Sequence, residues 1–376
     1  MSQISLVAKD PKLKVIIQEL KKIPHTKSII LFGSKAKNNL QLPNVNSDYD
    51  IFVVLPFALV PLNYRKLKFI EMKIYNKLNI DVSINPLPIL RLRRAKGNLL
   101  FYKMKNEGIT IFGKDYLTEM EVGTILDIDP DEFFSYYFSS VRFLVKDMSV
   151  LNPLSNINLS IFAYNIAKSV LYCSEIREYL NGIYLENRFE ILNYILSSDY
   201  FYRDEKRYVN LIKFSLNVFG ENNYTLRELY EFWFLARDFS FSTFNLLAKK
   251  YDVKIDQEKQ LSAYQSKKFT LVKASQYVVL SLLRKRVFPL KLFLKRISVE
   301  RKVYVCIFYL MSSIKEINGE NFVVEDKTLS YSYDALLSSN LIDKDEYLSL
   351  NHSKKWEKLK DCVLENWSIA CSKSII

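Results

Sequence analysis

The fold of this chain is decided by Ile29-Ile-Leu-Phe-Gly-Ser34 and, after thirteen further residues, Asp48-Tyr-Asp-Ile-Phe-Val-Val-Leu55. Apolar runs of this length predict two buried strands. Alternate residues of a strand face the same way, so Asp48 and Asp50 are expected to project together while Tyr49 points to the other face. A glycine at the end of the first strand lets the backbone turn sharply and approach a phosphate closely.

The flanking segments predict helices that pack on these strands. Asp10 and Pro11 suit an N-cap and a first helical turn. Pro56 and Pro61 are expected to end the second strand. Apolar residues recur at helical spacing on both sides of the strand pair. They are Leu13, Ile16, Ile17, Leu20 and Ile23 before it and Leu67, Ile70, Ile74 and Leu78 after it.

A third strand is predicted over residues 79–85, where apolar residues alternate with Asp81 and Ser83. Pro86 and Pro88 are expected to end it. If this strand lies beside the second, Asp81 supplies a third carboxylate at the same edge of the sheet. Clustered carboxylates repel one another unless a cation lies between them. Mg²⁺ prefers hard oxygen ligands and shares them with phosphates, so the pattern predicts a magnesium site for phosphoryl chemistry.

In these motifs the sequence resembles the superfamily of DNA-polymerase-beta-like nucleotidyltransferases, over about residues 10–117. The resemblance implies that Gly33 and Ser34 hold the triphosphate of an NTP, with ATP expected from the habit of the family. It implies that Asp48 and Asp50 bind two Mg²⁺ ions, with Mn²⁺ as the alternative. Asp81 would complete the metal site, and deprotonation of the attacking hydroxyl is a further role for it. Lys35-Ala-Lys37 departs from the small residue or arginine common in the family.

The fold class expected is α+β, with a small mixed β-sheet nucleotidyltransferase domain and flanking helices over residues 1–120. A helical bundle is predicted over residues 130–252, and a mainly helical domain of unassigned role over 260–376. The bundle resembles the region that follows the catalytic domain in aminoglycoside-type nucleotidyltransferases. In that family a bundle helix can lend a carboxylate base, so Glu175 and Glu178 have two interpretations: a solvated helix glutamate, or the base.

Composition limits the class of protein and of partner. The 376 residues carry a formal net charge of +13. Residues 1–120 hold 20 Lys and Arg against 9 Asp and Glu. A basic first domain suits a polyanionic ligand, although lysine-rich surfaces also serve solubility. Arg91, Arg93 and Arg94 form a cluster with the same two interpretations. No signal peptide or membrane-spanning run is evident, so a cytoplasmic protein without a membrane partner is expected.

The sequence therefore predicts transfer of a nucleoside monophosphate from an NTP to a hydroxyl acceptor, with release of pyrophosphate. The acceptor is left open between a small molecule, RNA, a protein hydroxyl and a second nucleotide. The rival hypothesis is a catalytically idle nucleotide- or RNA-binding module of a toxin–antitoxin or immune type system. Retention of all three aspartates favours the enzyme, because a binding module does not need them.

Overall fold

A computed structural model describes the part of the chain that carries these motifs. Its amino-terminal part is built around a four-stranded sheet with strand order β3-β2-β1-β4. The strands are β1 Ser28–Phe32, β2 Tyr49–Leu55, β3 Val82–Pro88 and β4 Ile109–Gly113. The residues described are 10–36, 48–148, 158–185, 190, 194, 208–218, 224–251, 299–318, 321–337 and 341–370.

The sheet is mixed, as the predicted fold class requires. Strand β1 runs antiparallel to both β2 and β4, while β2 and β3 are parallel. The parallel pair is joined by helix α2 (Val60–Leu78), so that β2, α2 and β3 form a crossover unit. Helix α1 (Pro11–Leu20) precedes the sheet and is capped by Asp10, whose carboxylate accepts from the amides of Lys12 and Leu13. The predicted α-β-β-α-β order is confirmed.

The prolines behave differently from the prediction at two places. Pro61 lies in the first turn of α2 and does not end β2, which stops at Leu55. Pro86 lies inside β3 and does not end it, whereas Pro88 is the last residue of the strand.

The position of β3 explains why it tolerates two prolines. It is an edge strand, and edge strands accept residues that lack an N–H on their outer side. Ile84 shares the parity of Pro86 and Pro88, and its amide donates to Glu71 of α2 at 2.8 Å, not to β2. The backbone nitrogens at these alternate positions therefore face away from β2, so a proline at either position removes no hydrogen bond to β2.

The two faces of the sheet have different cores. On one face, alternate residues such as Leu31, Ile51 and Ile84 pack against α1 and α2. On the other face, Ile30 and Phe52 pack against two later helices. These are α3 (Ile89–Leu92) and α4 (Leu99–Glu107). We call the two sides the α1/α2 face and the α4 face.

The rest of the described chain is mainly helical. A single hydrophobic cluster joins its early and late helices, for example through the stacked rings of Phe138 and Tyr304. A short hairpin, β5 Ile314–Asn318 and β6 Asn321–Val324, interrupts the helices and was not predicted. The helices are α5 Pro130–Lys146, α6 Leu159–Leu180, α7 Tyr208–Asn217, α8 Leu226–Lys250, α9 Val299–Ser313, α10 Asp326–Leu337, α11 Lys344–Leu348 and α12 His352–Ala370.

Some predictions fall outside the described residues. They include most of the polar stretch after Lys35, the break near Gly220 and the second domain boundary between residues 251 and 265. The division at 130–252 and 260–376 stays a prediction, beside the finding that both parts contribute to one hydrophobic cluster. Within the described ranges, no helix is long and apolar enough to cross a membrane.

Candidate active site

The turn after β1 is built around Gly33. Its φ of +75° lies in the left-handed region that favours glycine. A side chain there would also place its Cβ 2.6 Å from Oδ2 of Asp50. The turn closes when the Ala36 amide donates to the Gly33 carbonyl at 3.1 Å, and it leaves Ser34 exposed. The backbone conformation therefore favours glycine, and any added side chain would also have to displace the Asp50 carboxylate.

The strand register brings the three aspartates to one edge of the sheet. Asp50 lies opposite Phe32 on β1, one residue before Gly33. Asp48 immediately precedes β2, and Asp81 immediately precedes β3. The amide of Tyr49, the residue after Asp48, donates to the Asp81 carbonyl at 3.0 Å, so the two strands start side by side. We call this end of the sheet, with the Gly33 turn, the aspartate edge.

The predicted alternation of side chains is confirmed. Tyr49 and Val82 belong to the core on the α1/α2 face. Phe52 and Val54, which share the parity of Asp48 and Asp50, belong to the core on the α4 face. Asp50 is paired in register with Ser83. The aspartates therefore lie on the α4 side of the sheet, at neighbouring positions of two parallel strands.

Donor chemistry at this edge fits a magnesium ion. Asp48 and Asp81 are exposed and Asp50 is half-buried, so carboxylate oxygens face an open edge. Mg²⁺ keeps several waters and shares its coordination with phosphate oxygens, so it does not need a closed protein cage. In the described ranges, no three His, Cys, Asp or Glu side chains converge as a ready-made metal cluster. The ligand roles of the three aspartates stay a prediction.

Tyr49 makes a contact behind the aspartate edge that the sequence motifs did not predict. Its hydroxyl donates to Oδ2 of Asp10 at 2.8 Å, and Asp10 also caps α1. The Lys35 ammonium lies 5.3 Å from the centre of the Tyr49 ring. Burial, together with the Asp10 carboxylate, raises the pKa of Tyr49 well above its usual range, so it stays a hydrogen-bond donor. This contact ties the start of β2 to the first helix and to the Gly33 turn.

The arginine cluster lies elsewhere. Helix α3 follows the carboxyl end of β3, whereas the aspartates precede the amino ends of β2 and β3. Arg93 and Arg94 are exposed there, and Arg91 is half-buried with its guanidinium 5.8 Å from the centre of the Phe101 ring. Burial lowers the pKa of Arg91, and nearby Glu132 opposes that shift. The fold thus places these arginines at the opposite end of the sheet from the aspartate edge.

Glu175 and Glu178 of α6 are not solvated, and the interpretation of either as an exposed helix glutamate is wrong. Their exposed fractions are 1% and 3%. Glu175 accepts from the Lys103 ammonium at 2.8 Å and from the Tyr136 hydroxyl. Among the described residues, Oε2 of Glu178 has no hydrogen-bond partner. Burial raises the pKa of Glu178 to about 7, against the opposing charge of Arg177.

The helical region also reaches towards the aspartate edge. Glu107 ends α4 and is followed by β4, whose Ile109 pairs with Leu31, two residues before Gly33. The Tyr184 hydroxyl, just beyond α6, donates to Oε1 of Glu107. Neither residue stood out in the sequence, because their pairing joins positions 77 residues apart.

Residues 14–117 match the family model described as polymerase beta, nucleotidyltransferase. Curated protein sequences give no match to the chain. Among solved structures, a spectinomycin adenyltransferase from Enterococcus faecialis, crystallised with ATP and spectinomycin, is similar at 16% identity and a TM-score of 0.40. The alignment covers 61% of this chain and 99% of that one.

Proposed function

Because residues 14–117 form a nucleotidyltransferase domain, we propose that this chain is a magnesium-dependent enzyme that transfers a nucleoside monophosphate from an NTP to a hydroxyl acceptor. The observation that carries the proposal is the aspartate edge. Three acidic residues start two parallel strands beside a glycine turn that no other residue could form without displacing Asp50. A strand end that serves only the fold has no need for this combination.

The reaction is an in-line displacement at the α-phosphorus of the NTP. The acceptor oxygen forms a bond to that phosphorus, the bond to the bridging oxygen breaks, and pyrophosphate leaves with the electron pair. In the proposal, the Gly33 and Ser34 turn holds phosphate oxygens through its amides and the exposed hydroxyl. Bound Mg²⁺ would supply charge neutralisation on the phosphates and the leaving group.

Each aspartate has a separate task in this scheme. Asp48 and Asp50 would hold a metal ion that also binds the triphosphate. Asp81, at the start of the neighbouring strand, would complete the ligand set, and it receives the proton of the acceptor hydroxyl. The Asp50 carboxylate lies close to the phosphate-binding turn, since a Cβ at Gly33 would come within 2.6 Å of its Oδ2.

ATP is the NTP that we propose, and either Mg²⁺ or Mn²⁺ can occupy such carboxylate sites. For the acceptor, the basic character of residues 1–120 favours an anionic molecule such as RNA over a neutral one. Small molecules, protein hydroxyls and nucleotides remain acceptor classes for the same chemistry. The experiment below separates them by the size of the labelled product.

The test incubates the protein with each α-³²P-labelled NTP and Mg²⁺, and offers total RNA, a metabolite extract, protein or nothing as acceptor. We expect a labelled product that requires the metal and is lost on addition of EDTA. Asp48→Asn together with Asp50→Asn should lower product formation at least about 100-fold, since charge stabilisation is usually the largest catalytic contribution. Asp334→Asn, a change at an exposed aspartate of α10, is the matched control and should leave the rate unchanged.

Two outcomes would contradict the proposal. Equal labelling by the double variant would show that the aspartate edge is not the catalytic centre. Binding of NTP without transfer to any acceptor fraction would favour the idle binding module instead. Salt-sensitive RNA binding in the absence of turnover would add to that alternative.

A further inference from the structure

A buried ionic cluster joins the nucleotidyltransferase domain to the helical region. Lys103 of α4 donates to Oε2 of Glu175 on α6 at 2.8 Å and to the Tyr136 hydroxyl of α5 at 2.9 Å. The Tyr136 hydroxyl donates to the same carboxylate oxygen. The ammonium also lies 4.8 Å from the centre of the Tyr136 ring and 5.9 Å from that of Tyr179. Three helices from two parts of the chain therefore meet at the Lys103 ammonium.

Such a cluster is expected to select one arrangement of the helices more than to increase the stability of the fold. The side chains of Lys103 and Glu175 are 8% and 1% exposed, so both charges lose their hydration when the helices meet. The mutual attraction of a buried pair roughly offsets that loss, and well-packed apolar side chains can replace it at little cost. A pair with good geometry nevertheless penalises every other register of α6 on α4, because each of them leaves a buried charge unpaired.

A second contact relates this junction to the aspartate edge. Tyr184, four residues after the end of α6, donates its hydroxyl to Glu107, the last residue of α4. Its ring packs edge-on against Tyr102 of the same helix, with centroids 5.2 Å apart. Strand β4 begins at Ile109 beside Leu31 of β1, so the end of α4 lies at the end of the sheet where the Gly33 turn begins.

We propose that Lys103 is a positioning residue. Through Glu175 and Tyr136 it holds α6 in one register on the catalytic domain, and so places Tyr184 and the end of α6 beside the aspartate edge as one wall of the acceptor site. This inference rests on the proposed function for its catalytic meaning. The contacts described for the cluster join only helical residues, so we expect nucleotide binding at the Gly33 turn to be independent of it.

The experiment measures the placement directly, by the distance between two spin labels. Asn76→Cys on α2 and Asn245→Cys on α8 offer exposed, uncharged attachment sites on the two parts. Cys173, Cys306 and Cys362 are buried free thiols, and Cys371→Ser removes the remaining cysteine. The unaltered cluster should give one narrow distance distribution, and Lys103→Arg should retain it because it keeps the charge.

Two variants separate positioning from stability. Lys103→Met alone removes the Lys103 charge from the buried Glu175, so both the stability and the distance should change. Lys103→Met with Glu175→Met replaces the pair by apolar groups, and should restore the melting temperature while the distance distribution stays shifted or broadened. Tyr184→Phe, which removes only a hydroxyl, should broaden the distribution even if both cluster variants fail to fold. The affinity for MgATP should stay within about twofold in every folded variant.

A narrow, unshifted distribution in the double variant and in Tyr184→Phe would overturn the inference. So would parallel losses of MgATP affinity and distance order, because these would indicate a general loss of structure. These results do not require turnover, so they are independent of whether the chain transfers a nucleotide. With the acceptor found by the labelling experiment, the double variant should raise the KM for that acceptor about 10- to 100-fold and leave the KM for ATP unchanged.

Discussion

Glu178 provides a stability measurement whose magnitude depends on pH. Glu178 is 3% exposed, one of its carboxylate oxygens has no hydrogen-bond partner among the described residues, and burial raises its pKa from 4.5 to about 7. The folded protein therefore binds this proton more tightly than the unfolded chain does. Stability is lost as pH rises from about 4.5, and the loss is complete above about 7.

The size of the effect follows from the two pKa values. A difference of about 2.5 units corresponds to an upper estimate of about 3 kcal/mol at pH 8. Unfolding entropy of about 2.1 cal/mol/K per residue makes this a change of about 4 °C in Tm for a chain of 376 residues. Glu178→Gln, which cannot ionise, should therefore raise Tm by up to about 4 °C at pH 8 and hardly at all at pH 5.

Thermal unfolding at the two pH values, followed by circular dichroism or calorimetry, measures the difference. The matched control is Glu175→Gln, the same substitution one turn earlier on α6. Glu175 neutralises Lys103, so its loss should lower Tm at both pH values, by an amount equivalent to about 3–5 kcal/mol. If Glu178→Gln gave the same change in Tm at pH 5 and pH 8, the reasoning about a buried, unpaired carboxylate would be refuted.

Two further substitutions test the architecture of the aspartate edge. Gly33→Ala should weaken MgATP binding and transfer activity far more than Gly97→Ala. Both glycines have positive φ, but of the two only Gly33 has a carboxylate within 3 Å of the added Cβ. Equal effects of the two substitutions in titration calorimetry would assign the requirement for glycine to backbone conformation alone. Tyr49→Phe removes the hydrogen bond to Asp10 and should cost about 1 kcal/mol of stability. Its transfer rate should stay near that of the unaltered protein, and a large loss of rate would mean that Tyr49 acts in catalysis.

Much of the catalytic domain was predictable because its signals are local. The run that ends at Gly33 and the alternation around Asp50 depend on the strand period and on turn chemistry, both of which are written in consecutive residues. The resemblance to polymerase-beta-like nucleotidyltransferases, which rested on these motifs, is confirmed by the family match over residues 14–117. The catalytic roles of the aspartates stay predictions.

The sequence predictions were wrong where position in a sheet, and not the local sequence pattern, decides whether a strand forms. Pro86 and Pro88 break a central strand but are accepted in β3, because β3 lies at the edge and their nitrogens face away from β2. The hairpin that starts at Ile314 directly continues a helix, and no turn residue separates the two. A short strand of this kind depends on pairing with its neighbour more than on its own propensity.

The sequence alone thus determined the order of strands and helices around Gly33 and the common side of Asp48 and Asp50, since strand alternation is a property of the local backbone. Only the tertiary structure decided the state of Glu175 and Glu178. In the sequence they are ordinary helix glutamates, but α6 is buried on nearly every side. Lys103, the partner of one, lies 72 residues earlier. The energy of a charge depends on what surrounds it in space, and that surrounding exists only once α4, α5 and α6 have packed together.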